Sequence, residues 1–154
     1  MDAFKEQLVK SLKGGHAFVS YKDALDGVDP AKRSVRPGNE LHSVYELLEH
    51  MRLAQKDLLD FALDPDWKSP EWPAGFWPEE GHVATDEEWD RCVRGFFRDQ
   101  NRAVKFAKNE EIDLLSWVPQ TENTYLREIM LIIEHNAYHL GQLVEARKAL
   151  GDWK

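Results

Sequence analysis

The sequence has a single cysteine, Cys92, so no disulfide can form within the chain and no zinc site can draw two thiolates from it. No apolar run approaches the ~20 residues needed to span a bilayer, so a membrane is not an expected partner. The opening MDAFKEQLVK is charged and amphipathic and lacks the apolar stretch of a secretory signal, which gives a soluble, reducing, cytoplasmic setting as the expectation. Basic charge is also in short supply. Lys and Arg number 20 against 28 Asp and Glu, a balance of −8 with neutral histidines. An acidic surface repels phosphate backbones, so nucleic acid is not an expected partner either. There is no internal repeat, no low-complexity tract and no linker. No run alternates with period two for long enough to read as a strand.

What is present is a chain of 154 residues with 42% hydrophobic and 31% charged residues, enough for one domain, 1–154, with its own core. Apolar residues recur at three- and four-residue intervals over residues 40–61, 86–108 and 123–150. A shorter stretch, 3–12, opens the chain, and Ala24 and Leu25 suggest one more turn. Gly14 and Gly15 stop the first segment, and Pro37-Gly38-Asn39 precedes the second. Thr85 followed by Asp86, Glu87 and Glu88 reads as an N-cap with acidic residues at the positive end of a helix dipole. Thr121 or Asn123 is placed to cap the last helix, and Gly151 to close it. The expected fold class is all-α, a four-helix bundle.

Residues 64–81, DPDWKSPEWPAGFWPEEG, form a long loop between the second and third main helices. Four prolines forbid a helix there. Three tryptophans, Trp67, Trp72 and Trp77, are costly to leave in water, so the segment should pack against the bundle, either as a cover for its core or as a lid over a site.

Six histidines are present, and His135 and His139 are the informative pair. Four residues apart on a helix, they share one face, where a single metal can take a nitrogen from each. The motif is not HExxH, because Asn136 follows the first histidine, so the zincin protease pattern is absent. On a helical wheel both lie at the margin of the apolar arc, near Ile132, Leu143 and Ala146. On the second helix the arc takes in Leu41, Val44, Leu47, Leu48, Met51, Ala54 and Leu58. His50 sits at its edge, whereas His42 points to the polar face. His16 and His82 fall in loops. Imidazoles partly buried on an apolar helix require polar partners or a metal, and the wheel leaves both open. Three imidazoles with an open position match catalytic zinc. Di-iron carboxylate chemistry fails, because the one Glu-x-x-His, Glu79 to His82, lies in the Pro-rich loop. Cys92 falls on the apolar side of its helix and reads as an inert core thiol. Glu46, Glu49, Asn136, Tyr138 and Gln142 are nearby in sequence as groups that could orient the imidazoles. Gln55 falls within the apolar arc, where it should bond to backbone.

The stretches GGHAFVSYKDALDG (14–27), HSVYELLEHMRLAQKDLLDFA (42–62), SPEWPAGFWPEE (69–80) and EHNAYHLGQLVEARKALGDW (134–153) resemble the DinB-like superfamily, of DinB/YfiT type, and most closely a branch of DinB-like domains without an assigned reaction. The resemblance spans nearly the whole chain, and HNAYHLGQ is its most specific piece. It implies a four-helix bundle of unusual connectivity, often a homodimer, holding a divalent metal, zinc or nickel, on three histidines. The family positions fall on His50, His135 and His139. Better-understood relatives use the metal to activate a low-molecular-weight thiol for transfer or isomerisation. The leading expectation is therefore a metal-dependent enzyme, a thiol-dependent transferase. The alternatives are a module that binds a small molecule or metal without turnover, and a dimeric scaffold with structural histidines.

Overall fold

The computed structural model describes residues 2–154. It contains five α-helices: α1 (Ala3–Lys13), α2 (Tyr21–Leu25), α3 (Val44–Leu63), α4 (Asp86–Lys108) and α5 (Tyr125–Ala149). One 3-10 turn, Ala74–Phe76, interrupts the long α3–α4 connection, and the described residues include no strand. Helix α3 is central, packed on α4 and α5. Helix α1 lies against α4 and α5, and the short α2 lies against α5. None of the helices among the described residues is long and apolar enough to cross a membrane.

Each long helix begins at an identifiable cap. The Thr85 hydroxyl accepts from the Glu88 N–H, and the Glu88 carboxylate accepts from the Thr85 N–H, a reciprocal box that starts α4 where its sequence predicts. A second box, Ser43 with Glu46, starts α3 at Val44, not at residue 40. The extended periodicity is broken here because Ser43 already satisfies the first free N–H groups. Leu41 therefore lies outside the helix and is 54% exposed, not part of the apolar arc. His42 likewise precedes the helix and has no place on its polar face. Helix α5 is capped by Thr124, not by Thr121 or Asn123; the Thr124 side chain accepts from the Arg127 N–H. Gly151, with φ at +64°, occupies the left-handed turn that ends it.

Two apolar clusters hold these helices. One gathers Tyr21, Leu47, Leu48, Met51, Phe96, Leu140 and Leu143. The other gathers Leu8, Leu12, Leu59, Ala103, Phe106, Ile129 and Ile132. On α3, Gln55 lies one turn from both Met51 and Leu59; on α5, Asn136 lies one turn from both Ile132 and Leu140. These two buried amides meet where the clusters adjoin: Asn136 Nδ2 donates to Gln55 Oε1 at 2.9 Å, and Gln55 Nε2 donates to the Phe96 carbonyl at 2.9 Å. A buried amide joined to backbone in this way sets the register of α3 against α4 and α5. It also fixes the heights of His50 and His135 relative to each other, since each lies within five residues of its helix's amide.

The Trp/Pro segment is held down unevenly. Trp67 Nε1 donates to Asp57 Oδ1 at 2.8 Å, and Lys56 lies over its ring. Trp77 is partly buried against the first apolar cluster. Trp72 departs from the expectation that all three tryptophans are covered, for it is 69% exposed. Its ring stands at the mouth of a cavity, partly over Phe76 at 5.5 Å. Gly75 lets this segment fold tightly, because a Cβ there would overlap the Pro70 ring.

Candidate metal centre

The α3–α5 interface brings His50, His135 and His139 together, with one ring nitrogen of each within 4.8 Å of the others. His50 is 2% and His139 8% exposed, and His135 is half-buried. His50 Nε2 and His135 Nε2 are 3.0 Å apart. Two nitrogens bound at 2.0–2.1 Å to one tetrahedral ion stand roughly 3.3 Å apart, so this spacing is close to that of two ligands on one metal. The remaining three histidines are elsewhere: His42 stacks on Trp77, His82 meets Glu88 at 3.0 Å, and His16 is in the loop after α1.

The outer nitrogens decide the proton arrangement. His50 Nδ1 lies 2.8 Å from the Phe76 carbonyl, and His139 Nδ1 lies 2.7 Å from Gln142 Oε1. Both oxygens only accept, so each Nδ1 must carry its proton and donate. The Nε2 atoms of His50 and His139 are then left as lone pairs, and that of His50 faces His135 Nε2. At most one proton, on His135 Nε2, can serve them. His135 Nδ1 and Asn136 Oδ1 are both buried without a hydrogen bond of good geometry, although the Asn136 amide is near enough to favour the charged ring slightly. The group has more acceptors than donors, and a cation with empty orbitals is what such a group accommodates.

Electrostatics agree. Burial pushes the His50 pKa down to about 4, reinforced by His139 and His42 and opposed by the Phe76 carbonyl. Burial also pushes His135 down to about 4, reinforced by His139 and His50, and lowers His139. All three imidazoles are neutral at pH 7, the form that ligates metals.

The loop supplies what sequence reasoning about helices misses. The Trp77 indole stacks face to face on His50, with ring centres 3.8 Å apart and planes within 4°. His42 stacks on its other face at 4.2 Å. The Phe76 carbonyl and the Trp77 ring together fix both the tilt and the tautomer of His50. A backbone carbonyl leaves no mark in a sequence, so only the aromatic density of the loop hinted at this. Of the nearby polar residues, Gln142 bonds to His139, and the exposed Tyr138 ring stands edge-on to it at 4.9 Å. Glu46 and Glu49 are committed elsewhere, to Arg36 and Arg52. Gln55 bonds to backbone as expected and reaches the centre only through Asn136. Cys92 is 2% exposed, and burial with Glu49 beside it pushes its thiol pKa up, as suits an inert core residue.

A cavity of about 440 Å³ opens beside His50 and His135. Ala54, Leu58, Phe76 and Leu131 make its wall apolar, and Trp72 and Tyr138 stand at its mouth. The fold and these side chains define an all-helical protein with a buried three-histidine group that could hold a metal ion. Comparison with family models, with curated proteins and with solved structures finds no match for this chain.

Proposed function

We propose that this chain is a divalent-metal-dependent enzyme of the DinB-like type, with His50, His135 and His139 as ligands of one zinc or nickel ion. The observation that carries the reading is the convergence of three neutral imidazoles, one ring nitrogen of each within 4.8 Å of the others, with the Nδ1 of His50 and of His139 committed to outer acceptors. A hydrogen-bonded structural trio needs donors among its inner nitrogens, and here at most one is available.

When bound, a divalent ion with an open position would supply Lewis acidity, lowering the pKa of a water or thiol to near neutrality. The chain's own part is to hold three neutral ligands, to orient two of them through Nδ1, and to provide a largely apolar cavity next to them. The resemblance in HNAYHLGQ and in the α3 segment favours thiol-dependent transfer, with a low-molecular-weight thiol as one substrate. The same resemblance favours a homodimer, which sedimentation would test.

The deciding measurement is metal content by elemental mass spectrometry on untagged protein and on a His139→Ala variant. About one zinc or nickel per chain, lost in the variant, is expected. No metal after incubation with either ion would sink the reading. Turnover of a thiol with an electrophile then separates an enzyme from a module that only binds.

A further inference from the structure

The cavity beside the histidines has a charge pattern that the metal reading does not use. Its wall is apolar, yet it contains two acidic side chains, Asp57 on α3 and Glu134 on α5, and no lysine or arginine. The nearby cations are already engaged. Lys56 pairs with Asp60 and covers Trp67, and Arg127 pairs with Glu128 at 2.8 Å. Asp57 spends one oxygen on the Trp67 indole N–H. The Glu134 carboxylate has no hydrogen bond or ion pair among the described residues, and Glu134 stands immediately before His135 in the chain. Two exposed aromatic rings, Trp72 and Tyr138, line the same opening.

Free carboxylates beside open aromatic faces recognise a cation, because both the ring quadrupole and the carboxylate attract positive charge. An apolar chamber of ~300–1,000 Å³ accommodates a small organic body. We infer that this cavity binds a small organic cation: an apolar, aromatic-sized body carrying an ammonium group, the body seated on Leu58 and Leu131 and the charge held at the mouth by Glu134, Asp57, Trp72 and Tyr138. The inference rests on the proposed function for the role of this molecule as the second substrate, and on the cavity alone for its binding. An anionic thiol or carboxylate would be repelled at the mouth, so any thiol partner must approach with its anionic parts away from Glu134.

The test uses two probes that share a phenylbutyl body, trimethyl(4-phenylbutyl)ammonium and 4-phenylbutanol, titrated calorimetrically into the full chain, zinc-free and zinc-loaded. The quaternary ammonium cannot ligate a metal, so its binding reports the cavity. The cation should bind the zinc-free protein about tenfold more tightly than the alcohol. Glu134→Gln, a surface change that leaves the fold intact, should cut that preference about threefold, and raising the salt concentration should narrow it. Leu131→Trp, which fills the chamber, should remove binding of both probes. Equal affinity for the two probes, a preference untouched by Glu134→Gln, or binding that survives Leu131→Trp would each overturn the inference. Zinc content measured on the same samples keeps the two readings apart. A chain that takes no zinc yet prefers the cation loses the metal role and keeps the cavity's selectivity. A chain that takes zinc and binds both probes alike does the reverse.

Discussion

Two buried polar groups in this molecule look alike by burial and differ in how their hydrogen bonds are completed. Arg147, near the end of α5, is 2% exposed. Its Nε donates to Asp152 Oδ2 at 3.1 Å, its Nη1 to the carbonyls of Ala24 and Asp26, and its Nη2 to those of Gly27 and Asp152. All five N–H groups of the guanidinium are used, and the indole of Trp153 covers its plane at 5.3 Å. Asp152 in turn accepts from the Asp29 N–H. The assembly is closed, and it clasps the α2 turn to the C-terminal end of α5. His50 is as deeply placed, His139 nearly so and His135 half-buried, but the group is open, with Nε2 lone pairs and an unbonded His135 Nδ1. A closed buried group stabilises the fold; an open one of this depth lowers stability unless something else completes it. That contrast, more than burial or pKa alone, separates a structural residue from a candidate functional one.

The strongest way to break the comparison is at Arg147. Arg147→Ala strands the Asp152 carboxylate and four carbonyls, and removing one partner of a buried pair costs about 3–5 kcal/mol. Denaturant titration should show that loss, while zinc bound per folded chain stays unchanged. If the loss were under about 1 kcal/mol, the clasp would be no more structural than a surface pair.

Acid should act on the other group. The folded pKa values of His50 and His135, at about 4, lie below the ordinary histidine value of 6.5, so the unfolded chain binds more protons between those limits. Stability of the metal-free protein is then fully present above pH 6.5 and is lost as the pH falls through that window, on the order of 2 kcal/mol for each of the two histidines by pH 5. Thermal melts at pH 7 and 5 of the wild type and of a His50→Leu, His135→Leu double variant should show a smaller drop in the variant. Equal drops would place the acid sensitivity outside the histidine group.

The parts of this arrangement that sequence makes legible are those encoded by periodicity and local caps. Helix α4 matches its expected bounds because Thr85 and Glu88 form a box immediately before an amphipathic run. The four-residue spacing of His135 and His139, with His50 at the edge of its arc, anticipates their convergence. Helix α3 starts later than expected because an apolar count cannot see that Ser43 and Glu46 already cap it, although S-x-x-E was present to be read. The loop is harder. That Phe76 offers its carbonyl, that Trp77 lies on His50, and that Trp72 stays exposed all depend on how a proline-rich chain turns back on itself at Gly75 and Pro70. Glu46 and Glu49 are near in number only, since Glu46 pairs with Arg36 in the loop before α3 and Glu49 with Arg52 on the same helix.

The loop's role sharpens the comparison at a smaller scale. Trp77→Leu removes the stacked plane from His50 and keeps the backbone carbonyl. Groups that orient a ligand typically change metal affinity by 10- to 100-fold, and the lower figure, about tenfold weaker zinc binding, is expected because the Phe76 contact remains. Competition with a chelator of known affinity measures it. An unchanged affinity would mean that the carbonyl alone fixes the ring.

The smallest expected effect is the most discriminating. His139→Leu removes one open imidazole and leaves Gln142, which is exposed, free to bond to water. No buried partner is stranded, unlike at Arg147. Replacing a buried, incompletely bonded polar group by an apolar one of similar size is near neutral, or stabilising by up to about 1 kcal/mol. The metal-free variant should therefore unfold at the same denaturant concentration as wild type or slightly above it, with zinc uptake abolished. Such an outcome means that the histidine is retained at no benefit to the metal-free fold, as expected of a residue kept for binding. A loss of 2 kcal/mol or more would put His139 in the same class as Arg147, and the three imidazoles would then be a structural knot.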